Sequence, residues 1–302
     1  TGACPPHFWI WCRLPSHPNP SIANSSMHSL RLCVRSFARC GRLDPSEWLL
    51  LVALLPLTLA RPAQAAEPPP YSAPSVTPTQ MPTAFTAEWG NYFVSSSLYG
   101  YEQWPNKDWF VDGCLNIGAG IGNPRRAIAV EVDYNLESYR GVPGGGSVDV
   151  KVGRSIVDHS RFKAAVSAGW YRMATYGQLS QEPSTPYGVA TLAWPLRPND
   201  PSFRQTLQLN LGAGSGRFQR IDQGWLASQG VVASLGVELA PNVGLSAGWV
   251  GRGVNATLSV VPARGVPLFV NLSGVNLDNS GNAGRAAVLS LTWGGSFRTA
   301  TF

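Results

Sequence analysis

The sequence predicts an all-β chain folded as an antiparallel transmembrane β-barrel of about ten to twelve strands. Three observations carry that expectation. Apolar residues recur with period two over most of the chain beyond Trp109, the opposite face is polar and rich in glycine, and an export-type leader precedes both. A hydrophobic share of 44% with only 13% charged residues is too apolar for a disordered chain. With 25 prolines and 32 glycines, a coiled coil, a helical bundle and a collagen are excluded.

Residues 1–26 show neither helical nor strand periodicity and read as a non-native or disordered upstream segment. Residues 27–65 read as a signal peptide. Arg31, Arg35, Arg39 and Arg42 supply a basic region, Trp48–Ala60 an apolar one, and Ala63-Gln64-Ala65 a small-x-small cleavage site. The apolar run has 13 residues and contains Pro56, whereas a spanning helix needs roughly 20. Residues 66–83 read as an extended linker, because six prolines in 67–82 oppose both helix and sheet. The barrel is expected over 84–302.

The charge divides along the same boundary. Six of 23 basic residues and two of 17 acids precede Ala66, leaving +2 of the net +6 on the body. That balance argues against a nucleic-acid surface. Only Cys114 and His159 follow Ala66, and one of each cannot build a His/Cys zinc site. No metal or cofactor is expected.

Within the body, Ile128, Val130, Val132, Tyr134 and Leu136 alternate with Ala129, Glu131, Asp133, Asn135 and Glu137. Similar runs follow at 148–153, 162–170, 207–212, 231–239 and 287–293. Period two sends successive side chains to opposite sheet faces. Turn-forming clusters such as Asp158-His159-Ser160, Arg197–Pro201 and Pro241-Asn242 separate the runs.

A soluble sandwich would bury the apolar face, whereas a membrane barrel would turn it to lipid. Glycines on the presumed inner face (Gly118, Gly120, Gly122, Gly212, Gly214, Gly216) permit curvature and a tight interior. Aromatics at the ends of the apolar faces, Trp109, Tyr134, Trp170, Trp194, Trp249 and Trp293, match a membrane–water girdle. Both features favour the barrel.

The leader, the proline-rich stretch, the glycine-rich alternating strands and the terminal Phe302 together resemble the outer-membrane β-barrel proteins of diderm bacteria. Cyanobacterial barrels are the most similar in texture. The resemblance implies an outer-membrane location and contact with outer-membrane lipid. The closing strand departs from that pattern: Arg298 and Ala300 precede Phe302 in register, and Gly294-Gly295 interrupts the run. Either a bulge resets the register or the strand ends near Phe297, in phase with Trp293, Leu291 and Leu289.

The sequence offers little catalytic chemistry, and the chain is not expected to be an enzyme. Asp158-His159-Ser160 holds the body's one histidine in a turn, where a catalytic triad cannot be oriented. Glu131, Asp133, Glu137 and Glu238 fall on polar strand faces and read as lumen charges, with Lys151 and Lys163 as balancing cations on neighbouring strands. The expected role is a narrow pore, or a structural barrel in envelope biogenesis such as polysaccharide export. Other envelope proteins or polysaccharide are the expected partners beside lipid. Two alternatives stand: a secreted soluble β-sandwich binding carbohydrate on aromatics such as Trp104 and Trp109, and an outer-membrane enzyme acting on lipid or sugar through Glu131, Asp133 and Glu137.

Overall fold

The structure is a computed structural model that describes residues 73–297 apart from 104–107, 141–143, 178–183, 220–229, 264 and 281–283. Residues 1–72, including the leader and Ala63 and Ala65, lie outside the described residues, as do Phe302 and Trp104.

Twelve strands follow one another in the chain: β1 (Asn91–Gln103), β2 (Asp108–Gly122), β3 (Ala129–Leu136), β4 (Gly145–His159), β5 (Phe162–Gly177), β6 (Thr185–Pro195), β7 (Thr206–Gly214), β8 (Gly230–Ala240), β9 (Val243–Val250), β10 (Val254–Val260), β11 (Leu268–Val275) and β12 (Ala286–Ser296). Each pairs antiparallel with its sequence neighbours, and β12 returns to pair with β1, so the sheet closes. Closure gives every strand two partners, which removes the free edges that neither water nor lipid could satisfy in a bilayer.

The alternation sorts as a membrane barrel requires. Ile117, Leu211, Leu235, Leu272 and Leu289 point outward and are exposed, while Asn116, Asn210, Ser234, Ser273 and Ser290 of the same strands are buried inside. A soluble sandwich would have reversed this, so that alternative is overturned. No helix among the described residues is long and apolar enough to span a membrane; the strands do so. The two tightest turns, 160–161 and 241–242, lie at the end of the barrel where β1 begins and β12 finishes, and the longest connection, 215–229, lies at the other. Short turns at one end and a long connection at the other are the pattern of outer-membrane barrels whose short turns are periplasmic. By that rule the end where β1 begins and β12 finishes is called the periplasmic end below.

The closing strand ends at Ser296, and Phe297 N–H donates to Gly90 O at 2.9 Å. Its ring stacks on Tyr92 and meets Trp89 edge-on. Of the two registers that the sequence leaves open, the structure takes the one ending at Phe297.

The described part of the proline-rich stretch is not a linker. Residues 74–79 and 81–84 are buried, and so is Thr86. This segment lies inside the barrel. It rises from the periplasmic end beside β9 and β10, turns at Pro78–Met81, and returns past β6, β4 and β3 to β1. The turn is marked by Gln80 at φ 71° and by Met81 N–H donating to Pro78 O at 3.1 Å. Proline content suits this position as well as it suits a linker. Pro74, Pro78 and Pro82 have no N–H, so fewer backbone donors need partners from a wall that can offer only side chains.

Candidate functional site

The candidate site is the filled lumen, built from the wall inward. On the β10–β11 side the contacts are neutral. Ser259 Oγ accepts from Ser75 N–H at 3.0 Å, and Thr257 Oγ1 accepts from Thr79 N–H at 3.0 Å. Asn255 Nδ2 donates to Thr79 O at 2.8 Å, and Thr79 Oγ1 donates to Ser273 Oγ. From β7, Gln208 Nε2 donates to Thr77 Oγ1 at 2.7 Å.

On the opposite side the contacts are charged. Glu131 of β3 and Lys151 of β4 are cross-strand partners, 3.0 Å apart and almost fully buried. Glu131 Oε2 accepts from Ala87 N–H at 2.8 Å, and Lys151 Nζ donates to Phe85 O at 2.8 Å. Lys151 Nζ also donates to Thr83 O at 3.4 Å, so each ion is held by the other and by the hairpin backbone, Glu131 through one bond and Lys151 through two. Asp133 and Asp149 face each other directly across the same strand pair. Between these sides, Thr191 Oγ1 of β6 accepts from Ala84 N–H at 2.7 Å.

Several inner-face glycines are places where the hairpin backbone passes. A Cβ on Gly236 would stand 2.0 Å from Val76 O, on Gly244 2.3 Å from Ser75 O, and on Gly120 2.3 Å from Ala87 O. Curvature alone does not explain them; they are hollows in the wall fitted to this segment. Gly216 leaves the strand pattern expected of it and opens a short 3₁₀ turn at φ 53°.

That turn, Gly216–Phe218, folds in from the outer end. Phe218 packs on Tyr171 and Tyr187 and shares one apolar cluster with Val232, Val250 and Met81, where the outer loop and the hairpin meet. Tyr171 and Tyr187 stack with centroids 4.5 Å apart. Arg217 stands over the Tyr171 ring at 5.5 Å. Burial, with the cations of Arg172 and Arg252, lowers its pKa to about 10.

The remaining charge candidates separate. Glu137 holds Arg172 through two bonds, Nε to Oε1 at 3.0 Å and Nη2 to Oε2 at 2.5 Å. Arg172 reaches it from a bulge in β5, where its φ is 53° and the register against β4 slips. Glu238 Oε2 accepts from Thr206 N–H at 3.0 Å, away from the other carboxylates. Lys163 lies 3.5 Å from Asp158 near the periplasmic rim. Sequence reasoning missed Arg172 and the hairpin. A bulge has no residue signature in β5, and the hairpin looks polar and proline-rich wherever it lies.

The aromatics fall toward both rims. Tyr134, Trp170 and Trp249 stand on the outer half of β3, β5 and β9, and Trp194 and Trp293 toward the periplasmic ends of β6 and β12. Trp109 is the second residue of β2, but its side chain is not among the described ones. Tyr134 and Tyr176 stack and share a hydroxyl–hydroxyl bond, and Phe162 packs on Trp194 at 5.4 Å.

No protein-family model matches this chain, and no curated protein sequence does. Solved structures similar in shape include the KdgM porin (7% identity, TM-score 0.43, 68% of this chain and 99% of that one) and the NanC porin (7%, 0.41, 67% and 98%). Outer membrane protein Omp33 of Acinetobacter baumannii is another (11%, 0.37, 68% and 97%). The activities of those proteins are not carried over to this chain; the barrel stands on its own geometry.

Proposed function

We propose that this chain is a narrow outer-membrane pore held closed by its own N-terminal hairpin, which acts as a gate opening from the periplasmic side. The observation that carries this reading is the polarity of the hairpin's seat. A plug meant to stay would be sealed by apolar contact over its whole length. Here hydroxyls, amides and one ion pair hold it along β3, β4, β7, β10 and β11. Water can replace each of those bonds, so withdrawal exposes a hydrophilic passage instead of a greasy one. Of the carboxylates that an enzyme would use, Glu131 is committed to this seat, fully buried between Lys151 and Ala87, and Glu137 is committed to Arg172.

The apolar cluster around Met81 and Phe218 favours a second reading, a permanently filled structural barrel in envelope biogenesis. Conductance in planar bilayers separates the two. A gated pore gives a closed baseline with rare openings in the full chain and a steady conductance once residues 73–87 are deleted. A structural barrel stays closed in both. A full chain that conducts continuously sinks the gate, and rapid labelling of Met81→Cys by a membrane-impermeant maleimide sinks the lumenal hairpin.

A further inference from the structure

Arg154 breaks the pattern of the lipid-facing wall. Among the described side chains that point outward within the strands, short of their ends, it is the only charged one. Its surroundings are apolar and exposed: Val152 and Ile156 on its own strand, Val166 directly opposite on β5, and Ile128 just ahead of β3, whose first residue Ala129 pairs with Gly153. An arginine among such residues at the bilayer centre would cost about 2–4 kcal/mol, falling toward zero at the interface.

The neighbouring turn sets its depth. Ser155 N–H donates to Pro124 O at 2.8 Å, so the β2–β3 connection 123–128 lies beside Arg154 at the periplasmic rim. That turn carries Arg125 and Arg126, both exposed. Asp158 is the one carboxylate within ion-pair distance of this group among the described residues, and it is shared by Arg125 at 2.9 Å and Lys163 at 3.5 Å. The guanidinium groups of Arg126 and Arg154 have no carboxylate there. Two uncompensated guanidiniums at headgroup depth, one rooted in the lipid-facing surface, match a phosphate that itself belongs to lipid.

We propose that Arg126 and Arg154 hold the phosphate of an anionic phospholipid in the leaflet at the end of the barrel where β1 begins and β12 finishes. The site rests on the lipid-facing belt and not on the gate. Its acyl chains lie along Ile128, Val152 and Val166, while the phosphate accepts from the two guanidiniums.

To test this, the full chain is folded into vesicles of phosphatidylcholine with a minority of phosphatidylglycerol and re-extracted in mild detergent. The co-purifying lipid is then counted by mass spectrometry. Phosphatidylglycerol is expected well above its share of the vesicle, with about fivefold less retained in Arg126→Gln or Arg154→Gln. Both variants should keep the migration shift of an unboiled barrel on SDS gels. If Arg154→Gln does not fold, Arg126→Gln in the exposed turn carries the test alone. Retention at the vesicle's own ratio, or unchanged retention in a folded variant, overturns the site. Preference for lipid A over phosphatidylglycerol in mixed vesicles overturns its assignment to this leaflet.

Discussion

Along β10 and β11 the lumen wall offers the hairpin Asn255, Thr257, Ser259 and Ser273, all neutral and all buried; along β3 and β4 it offers Glu131 and Lys151, with Asp133 and Asp149 behind them. The rising leg rests on the first wall and the returning leg on the second. The difference lies in what happens when a contact is lost. Withdrawal leaves the Glu131–Lys151 pair intact on the wall, so what differs is the hydrogen bond lost. One between neutral groups contributes about 1 kcal/mol, whereas one to a charged group contributes about 1.5–3 kcal/mol. In the proposed gate the neutral wall is therefore the one that lets go gradually, and the charged wall the one that sets the threshold.

The largest test removes the threshold. Lys151→Met leaves Glu131 beside Asp133 and Asp149 without that cation, and should destabilise the barrel by about 3–5 kcal/mol in urea unfolding of the detergent-folded protein. Adding Glu131→Gln should recover much of it. A single variant as stable as the parent would mean the ion pair does not anchor the returning leg.

A smaller effect is expected from filling a hollow on the rising leg. Gly236→Val places atoms where Val76 O now sits, and should cost about 1–3 kcal/mol while raising the open fraction in bilayer recordings. Smaller again, Thr257→Val removes the acceptor for Thr79 N–H, at about 1 kcal/mol. If Thr257→Val equals Lys151→Met in cost, the contrast between the walls is wrong.

The smallest effect belongs to neither wall and supplies the baseline. Asp200, in the connection between β6 and β7, accepts from Ser202 Oγ and from the N–H groups of Ser202 and Phe203, which hold its carboxyl below the usual range. A depressed folded pKa gives stability that is present above the unfolded value of about 3.9 and lost as pH falls through the folded one. Asp200→Asn should thus differ slightly from the parent at neutral pH and converge with it in acid, by thermal melting at each pH.

Much of the barrel was legible because lipid outside and polar groups inside enforce strict alternation, as in Ile128–Glu137. β1 was not legible, because Ser95, Ser96 and Ser97 blur its two faces. The girdle and the carboxylates could be found because their residue types are unusual in a sheet. The hairpin could not. Its bonds to the wall are to residues from 44 to more than a hundred positions away, such as Ala87 to Glu131, Ala84 to Thr191 and Ser75 to Ser259, and nothing local distinguishes a proline-rich segment bound in a lumen from one in solvent. The inner glycines were a signal of it, read first as curvature.

The hairpin joins β1 through only Trp89 and Gly90, which are themselves fastened to Gly122 and Phe297. In the proposed gate it is a stopper on a short leash. Drawn out, residues 75–88 reach at most about 45–50 Å from the rim at roughly 3.3–3.6 Å each. Within that radius the loose stopper meets its own opening at an effective concentration in the millimolar range for a short flexible tether. Reclosure is then a property of one molecule, indifferent to how many copies the envelope holds, and whatever opens the passage must keep hold of the segment to keep it open.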